Sequence, residues 1–381
     1  MHIGFITPEY PSTHFAGRIG GIGTFTKGLS KELVKLGNTV TIFIYSQKKN
    51  IIIIENGITI YFIKKKTMPL FTWFSNRKYF NDYVNAIVDK ENIQILEAPE
   101  WTGFTAFMKF KCPLILRLHG SDTYFCHLEG RKVKFKNKFF EKRALLGATK
   151  LIGVSNFVGS KTKELFNINN PIDTIYNAID VAFFKPNHKK IIPKSLLYFG
   201  TVIRKKGVLQ IAAVFNKIVE IDTAVTLKII GNDSLDSLTQ ESTLELFKNS
   251  LSKKALNKFV YVNSLFQEDL IIEIQQAEII LLPSFAEAFP MTWLEAMAME
   301  KKIITSNIGW ANELMIDGET GYTIDPNNIV DFKSKILVLL NNKGNTKFMG
   351  KNARDRIINF FNIEKIITLN VNYYEKVCKS Y

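Results

Sequence analysis

Two glutamates, Glu287 and Glu295, stand eight positions apart in a stretch whose residue types suit a ligand rich in hydroxyl groups. The apolar run Ile279–Leu282 precedes them and is typical of a buried strand, which Pro283 ends. A helix is expected to begin near Pro290, because proline is well tolerated in a first helical turn. Glu287 would then lie in the loop after a strand, and Glu295 in the following helix. Ligands bind at that edge of an open α/β sheet, and carboxylates accept hydrogen bonds from sugar hydroxyls.

The residues around Glu295 favour a buried site over the more frequent arrangement, in which charged residues lie on a solvated helix face. Trp293 and Leu294 precede it, and the small or apolar residues 296–298 follow it. A carboxylate in such surroundings needs hydrogen-bonding partners. A second apolar strand is expected at residues 302–305, so the two glutamates lie within an alternating strand–helix region.

The spacing of the two glutamates resembles the signature of the retaining glycosyltransferases of family 4. Phe289 and the Ala-Met-Ala segment at 296–298 stand in the matching places, and residues 317–322 resemble the end of the same block. The resemblance covers nearly the whole chain. It implies an α/β protein of the GT-B fold, in which two Rossmann-like doubly wound domains face a central cleft. It also implies transfer of a sugar from a nucleotide diphosphate sugar to an acceptor hydroxyl, with retention of anomeric configuration.

The first half of the chain alternates strands with helices, which indicates a parallel doubly wound sheet. Strands are predicted at residues 3–7, 39–45, 93–97, 114–119 and 151–154. Helices are predicted at residues 24–36, 77–91 and 135–146, and a hairpin at residues 51–54 and 58–63.

The second half repeats this alternation after a linker, which two prolines and several charged residues place at 181–194. Strands are predicted at residues 195–199, 225–230, 259–261, 279–282 and 303–305, with closing helices from 329 to 374. The resemblance implies that residues 1–180 form the acceptor-side domain, to which a helix at 362–381 returns. Residues 190–361 would bind the nucleotide sugar.

A glycine-rich turn at residues 17–23 separates the first strand from the first helix, where backbone amides can approach an anion. A dinucleotide-binding enzyme would show such a turn too. Thr26, however, stands where that fingerprint needs its third glycine, and the second strand ends at Tyr45 without an acidic residue for the ribose. In the family that the chain resembles, Gly20 and Gly21 face the donor diphosphate and sugar.

His119 ends a predicted strand, at the edge of an α/β sheet where ligands bind. A structural histidine is the alternative. The segment 119–122 resembles the family's His-Gly-x-Asp segment, which implies that His119 contacts the donor sugar near the reacting carbon. Asp122 has either an acceptor-side or a structural role, and Glu100 and Trp101 are assigned to the acceptor side by position alone.

The segment from Tyr198 to Gly207 resembles the family's pyrophosphate-binding loop, and Lys206 matches the family lysine. Thr201 occupies the place of the usual arginine, so Arg204 is expected to reach the same phosphates. Either cation would stabilise the charge that builds up on the departing diphosphate. A solvated basic loop is the alternative.

The resemblance also assigns the other donor contacts. Glu295 would accept hydrogen bonds from the ribose, and Glu287 from the donor sugar. Backbone amides around Phe289, Pro290 and Met291 would assist, although Pro290 itself has no N–H. The sequence has no Asp-x-Asp motif, so we expect no metal ion at the diphosphate and no cofactor besides the donor substrate.

The formal net charge of +15 lies mainly in residues 1–180, which hold 25 Lys and Arg against 14 Asp and Glu. It is densest at residues 131–143, where Phe135 and Phe139 stand one helical turn apart among lysines. Such a helix can lie on an anionic membrane surface, and packing through its phenylalanines is the alternative. Nucleic-acid binding is not expected, because no recognition module accompanies the charge.

The composition, 46% apolar and 22% charged, is typical of a globular chain of two domains. Without a membrane-spanning run, a leader or a disulfide pattern, we expect a cytoplasmic protein, peripheral at the inner face of the membrane. The expected acceptor is a glycan or glycolipid in surface polysaccharide or lipopolysaccharide assembly. The alternatives are an epimerase or phosphorylase of the same fold, a non-catalytic basic surface-binding protein, and a dinucleotide-dependent dehydrogenase.

Overall fold

The computed structural model describes residues 1–15, 17, 19–67, 72–187, 191–341 and 346–381. These residues form two compact units. The first contains Met1–Asn177 together with Glu364–Tyr381, and the second contains Ala178–Ile363. Each unit is a sheet with helices on its faces, as the alternating sequence pattern predicts.

The first unit is built on an eight-stranded sheet with the order β3-β4-β2-β1-β5-β6-β7-β8. Its strands are β1 (His2–Thr7), β2 (Thr39–Gln47), β3 (Ile51–Glu55), β4 (Ile58–Lys64), β5 (Ile95–Pro99), β6 (Leu114–Leu118), β7 (Lys150–Gly153) and β8 (Ile172–Thr174). All neighbours pair in parallel except β3 and β4, which form the hairpin around Asn56-Gly57. Every residue of β5 and β6 is buried, because helices cover both faces of a parallel sheet.

Five helices of the first unit connect these strands. They are α1 (Gly21–Lys35), α2 (Thr72–Glu91), α3 (Asp122–Leu128), α4 (Phe135–Gly147) and α5 (Asn156–Phe166). Helix α1 begins three residues before the predicted start, because Gly20 acts as its N-cap and the glycine-rich turn supplies its first turn. The short helix α3 has no separate apolar period in the sequence and was not predicted.

The second unit contains a six-stranded, fully parallel sheet with the order β11-β10-β9-β12-β13-β14. Its strands are β9 (Ser195–Phe199), β10 (Thr226–Ile230), β11 (Phe259–Val262), β12 (Ile279–Leu282), β13 (Lys302–Ser306) and β14 (Tyr322–Ile324). Its helices are α6 (Val208–Ile221), α7 (Thr243–Asn249), α8 (Lys253–Leu256), α9 (Gln267–Gln276), α10 (Met291–Ala298), α11 (Ala311–Leu314), α12 (Ile329–Leu340) and α13 (Thr346–Arg356).

The two α/β units with mainly parallel sheets confirm the predicted fold class. The predicted strand at 93–97 lies two residues further on, at β5, since residues 92–94 form the turn after α2. Residues 188–190 of the predicted linker and residues 342–345 of the closing helices lie outside the described residues. Among the described helices, none has both the length and the apolar character needed to cross a membrane.

The C-terminal helix α14 (Ile363–Ser380) is attached to the first unit by a buried polar network. Arg117 of β6 donates two hydrogen bonds to Glu97 of β5, from Nε to Oε1 at 2.7 Å and from Nη2 to Oε2 at 2.9 Å. Tyr374 of α14 donates to the same carboxylate at 2.7 Å, and Asn370 accepts from Arg117 Nη2. All four side chains are buried, so their charges and dipoles compensate one another without water.

Removing one partner from this network should destabilise the first unit strongly. We expect Glu97→Ala to lower the free energy of unfolding by about 3–5 kcal/mol, because Arg117 would remain buried without its counter-charge. Chemical denaturation measures the change. Tyr373→Phe is the control, since it removes only the more exposed bond to Asp173 and should cost about 1 kcal/mol or less. Equal losses in the two variants would contradict the importance of the buried pair.

Candidate functional site

Two loops of the second unit are packed directly against each other at the carboxyl ends of β9 and β12. The amide of Phe285, in the loop after β12, donates to the carbonyl of Lys205 in the loop after β9, at 2.7 Å. Gly207 has a φ of +74°, and a Cβ placed there would lie 2.1 Å from the carbonyl oxygen of Pro283. The glycine therefore allows the two loops to approach at backbone distance.

This approach brings Lys206 and Glu287 into contact. Lys206 lies in a single 3₁₀ turn (Arg204–Lys206), and its Nζ forms an ion pair with Glu287 Oε1. The two side chains are 21% and 11% exposed, so the charges are mostly withdrawn from water. Burial, and then the nearby Glu287 charge, raises the pKa of Tyr198 well above its ordinary value. The structure thus joins two residues that stand far apart in the sequence.

Glu295 lies in the second turn of α10, which Pro290 precedes as the N-cap and Met291 begins. The residues on either side of it, Leu294 and Ala296, are completely buried, and Glu295 itself is partly buried. Burial raises the pKa of its carboxyl group to about 8. Within the described residues this carboxyl has no hydrogen-bonding partner, so a ligand that donates hydrogen bonds could satisfy it.

Phe289 and Pro290, in the loop before α10, hold the start of this helix. Phe289 is buried and its ring lies 5.5 Å from that of Phe361. The carbonyl of Pro290 accepts the first backbone hydrogen bonds of α10, from Trp293 at 3.3 Å and Leu294 at 3.5 Å. The helix start is therefore held by the core on one side and by its own backbone on the other.

Arg204 is engaged with an acidic residue that the sequence analysis missed. Its Nε and Nη2 donate to the two carboxylate oxygens of Asp236, at 2.6 and 3.0 Å. Asp236 is completely buried and also accepts from Thr239 N at 2.9 Å. The Arg204 guanidinium, as the largest cause, holds the pKa of Asp236 well below its usual range. No local pattern pairs two residues 32 positions apart, so only the tertiary structure reveals this contact.

In the first unit, His119 directly follows β6. Its ring packs edge-on against Phe25, with 4.7 Å between the ring centroids. Burial, and then the positive charge of Arg117, lowers the pKa of His119 to about 3. The imidazole is therefore neutral near pH 7, with one nitrogen that donates and one that accepts. Its ring nitrogens form no hydrogen bond within the described part of the chain.

Glu100 supports His119 from the carboxyl end of β5. Its Oε2 accepts a hydrogen bond from the His119 backbone N–H at 2.9 Å. Burial is the main reason that the pKa of Glu100 is raised to about 8. Trp101, the next residue, begins a 3₁₀ turn, and its ring centroid lies 6.4 Å from that of Phe125. The structure thus brings Glu100 and His119 together and places Trp101 beside α3.

Asp122 is the first residue of α3, and its carboxylate accepts from Asn137 Nδ2 at 2.9 Å. Its backbone N–H donates to the completely buried Glu141 of α4 at 2.9 Å, and Thr123 donates to the same carboxylate. A carboxylate is stabilised at a helix N-terminus. In these positions Asp122 and Glu141 hold α3 and α4 together.

The glycine-rich turn is occupied by an anion of the chain itself. Glu9 accepts from the amides of Gly20 at 2.9 Å and Gly23 at 2.8 Å, at the N-terminus of α1. Gly21, between them, has no atom within 4 Å of where a Cβ would lie. Sequence reasoning assigned such amides to an external diphosphate and overlooked Glu9, although an acidic residue two positions after β1 was a visible signal.

Known proteins resemble this chain over most of its length. The pattern described as Glycosyl transferases group 1 matches residues 180–356, and that of Glycosyltransferase Family 4 matches residues 19–183. The uncharacterized glycosyltransferase MJ1178 of Methanocaldococcus jannaschii is 27% identical over 276 residues, which is 71% of this chain and 72% of that protein. The capsular polysaccharide biosynthesis glycosyltransferase CapM of Staphylococcus aureus is 25% identical over 59% of this chain and 61% of its own length.

A solved structure extends the likeness to the fold of the whole chain. The crystal structure of Anabaena Alr3699/HepE in complex with UDP has a TM-score of 0.75 and 16% identity, and the match covers 99% of this chain and 100% of the other. At that identity the likeness concerns the fold alone.

Because the pKa of Glu295 is raised, the free energy of unfolding should depend on pH through this group. The unfolded carboxyl ionises near pH 4.5, whereas the folded one stays protonated up to about pH 8. The stability from this group is therefore complete below pH 4.5 and is lost as the pH rises through 8. Glu295→Gln should show a smaller fall in the free energy of unfolding between pH 5 and pH 8 than the parent chain, as measured by urea denaturation. Glu220→Gln, at an exposed position of α6, is the control, and parallel curves for parent and Glu295→Gln would contradict the assignment.

Proposed function

The chain belongs to the glycosyltransferases of family 4, and we propose that it moves a sugar from a nucleotide diphosphate donor to an acceptor hydroxyl with retention of configuration. The observation that carries this proposal is the contact between Lys206, after β9, and Glu287, which shares the β12–loop–α10 segment with the partly buried Glu295. A cation can bind the diphosphate of a sugar nucleotide, and two carboxyl groups can accept hydrogen bonds from its hydroxyl groups. The bound UDP in the Anabaena structure supports a nucleotide donor.

In this proposal Lys206 stabilises the departing diphosphate. Its ammonium group lies in a mostly dry environment, where a charge interacts more strongly than in water. Glu287 pairs with Lys206 in the structure described, and a donor phosphate would share that cation. The Glu287 oxygens would then accept hydrogen bonds from the sugar hydroxyls. Asp236 already compensates the charge of Arg204 and binds two of its five N–H donors, so the proposal assigns the phosphate charge chiefly to Lys206.

Glu295 would bind the ribose of the nucleotide. Hydroxyl groups that donate to its carboxyl group favour the ionised form and so lower the pKa from about 8. Nucleotide binding near pH 7 would therefore release a proton, which calorimetry in buffers of different ionisation enthalpy detects.

In the first unit, the neutral imidazole of His119 can donate to or accept from a sugar hydroxyl, and the proposal keeps Gly20 and Gly21 as backbone neighbours of a bound sugar. In the transfer step the bond from the anomeric carbon to the phosphate oxygen breaks, and the acceptor oxygen bonds to that carbon from the same face. The acceptor proton passes to the departing phosphate. This route requires no protein nucleophile, and NMR of the anomeric proton in the product tests retention.

Substitutions in the donor site should separate binding from transfer. We expect Glu295→Ala to weaken the binding of the matching nucleotide, found by calorimetry with UDP, GDP and ADP, by roughly tenfold or more. Lys206→Met should lower kcat by roughly a hundredfold, because a charge-stabilising group is lost at the leaving diphosphate. Lys217→Ala, at an exposed position of α6, is the control. Unchanged affinity in Glu295→Ala and unchanged kcat in Lys206→Met would together refute the proposed donor site.

The transfer is proposed to require no divalent metal ion. The sequence has no Asp-x-Asp motif to hold such a metal, and in the proposal Lys206 takes up the charge of the diphosphate. Activity should therefore survive dialysis against EDTA. A loss that Mg²⁺ restores would show that the diphosphate charge is compensated differently.

An exposed aromatic surface on the first unit supports contact with an anionic membrane. Phe135 and Phe139 of α4 stack with centroids 6.3 Å apart, and Phe107 lies 6.1 Å from Phe139. The guanidinium of Arg143 lies 5.4 Å from the Phe139 ring. Phe135 is 84% exposed, so packing within the chain does not account for it. We propose that this Phe107–Phe135–Phe139 surface lies on anionic lipid during polysaccharide, lipopolysaccharide or glycolipid assembly.

Vesicle sedimentation tests this surface. The double substitution Phe135→Ser and Phe139→Ser should reduce binding to phosphatidylglycerol vesicles, because it removes the apolar part of the contact. Phe266→Ser is the matched control, since Phe266 is also highly exposed, at 82%, but lies in the second unit. Equal binding of the double variant and the parent chain would exclude this surface.

A further inference from the structure

A second polar site lies in the first unit, at the carboxyl ends of β2 and β5 and beside the start of α2. It is a cleft of about 490 Å³. The residues of its wall that matter here are Tyr45, Lys65, Trp73, Arg77, Phe104 and Lys136. Its position is that of a ligand site in an open α/β sheet. None of the donor-site residues described above lines it.

Three cations from different elements converge on this cleft. Lys65 follows β4, Arg77 belongs to α2, and Lys136 belongs to α4. Within the residues that the structure describes, none of the three forms an ion pair with a carboxylate. Like charges repel at short range, so such a group gains most from an anion that all three can share.

Arg77 is the most constrained of the three. Its guanidinium lies 4.4 Å from the ring centroid of Phe140 and 5.7 Å from that of Phe104. Nη2 donates to the neutral carbonyl of Gly103 at 3.1 Å, and Nη1 is 3.5 Å from that of Trp73. Nε is buried, and no acceptor for it lies in the described part of the chain. Aromatic stacking thus fixes the plane of the guanidinium. Only some of the N–H groups of this planar fork donate hydrogen bonds within the described residues.

The backbone around the cleft is also strained. Ser46 has a φ of +62° and Thr102 a φ of +52°, and both residues line the cleft. Left-handed conformations are costly for residues other than glycine and are concentrated at ligand sites.

Burial lowers the pKa of Arg77, and the phenol of Tyr45 is the group that opposes this shift.

We propose that this cleft binds the phosphate group of a phosphorylated acceptor, a conclusion that rests on the proposed glycosyltransferase function. Arg77 presents a planar fork to two phosphate oxygens, and Lys65 and Lys136 neutralise the remaining charge. Trp73, whose side chain is exposed, supplies an apolar face for the rest of the acceptor. The phosphate belongs either to a soluble sugar phosphate or to a lipid-linked phosphate. Lys136 lies on α4 between Phe135 and Phe139, so a lipid source would also be near the proposed membrane surface.

Binding measured without turnover tests the proposal. Glucose 6-phosphate, compared with glucose, represents the soluble source. Phosphatidylcholine vesicles with and without phosphatidic acid represent the lipid source. At least one phosphate ester should bind more tightly than its phosphate-free partner, and its affinity should fall by roughly tenfold or more in Lys65→Ala and in Lys136→Ala. Arg77→Lys should also weaken binding, because it keeps the charge and loses the fork.

Lys78→Ala is the matched control, because Lys78 is also on α2 but its exposed side chain pairs with Asp82. Lys65 and Lys136 are exposed, so their variants should fold even if Arg77→Lys does not. The proposal is overturned if neither phosphate ester is preferred, or if the Lys65 and Lys136 variants bind as well as Lys78→Ala. Nucleotide binding in the same variants separates the two proposals: if it persists while phosphate binding is absent, only the phosphate site is refuted. If nucleotide binding is absent in the parent chain, the proposed function itself is refuted.

Discussion

The ion pair between Lys206 and Glu287 is the interaction on which the proposed donor site depends. Neither side chain would be stable alone at its observed exposure, since a mostly buried charge without a counter-charge is costly. The pair forms only because the loops after β9 and β12 pack at backbone distance, which Gly207 permits. A local feature of the backbone therefore decides whether a cation and a carboxylate meet. A donor that enters such a site exchanges one set of charge interactions for another and does not have to desolvate isolated groups.

Burial sets the charge state of several other ionisable groups. Burial keeps Glu295 and Glu100 protonated near pH 7, and it keeps His119 neutral. Arg117 and Arg204, by contrast, remain charged but are paired with Glu97 and Asp236. The neutral residues and the paired arginines thus follow the same rule. A buried ionisable side chain is either held in its neutral form or paired with an opposite charge.

Some groups that the sequence pattern suggests for a ligand are used by the chain itself. Glu9 occupies two amides of the glycine-rich turn, and Asp236 occupies the fork of Arg204. In both cases a carboxylate of the chain itself supplies the negative charge that the sequence pattern predicted from a ligand. The cleft around Arg77 differs, because its cations have no carboxylate partner among the described residues. An anionic ligand can therefore supply the counter-charge for these cations.

The sequence by itself determined the fold class and the segments that form the candidate site. Strand and helix periods, the glycine turn and the spacing of Glu287 and Glu295 are local patterns, and local patterns record local backbone preferences. The fold, the start of α10 after Pro290 and the hairpin at β3 and β4 could therefore be predicted. Short elements such as α3 and β14 could not, because runs of so few residues carry no clear period. Only the tertiary structure decided that Lys206 meets Glu287, that Arg204 meets Asp236, and that Lys65, Arg77 and Lys136 share a cleft. Those contacts join residues far apart in the chain, and their charges act through distance in space and the loss of water, neither of which sequence separation encodes.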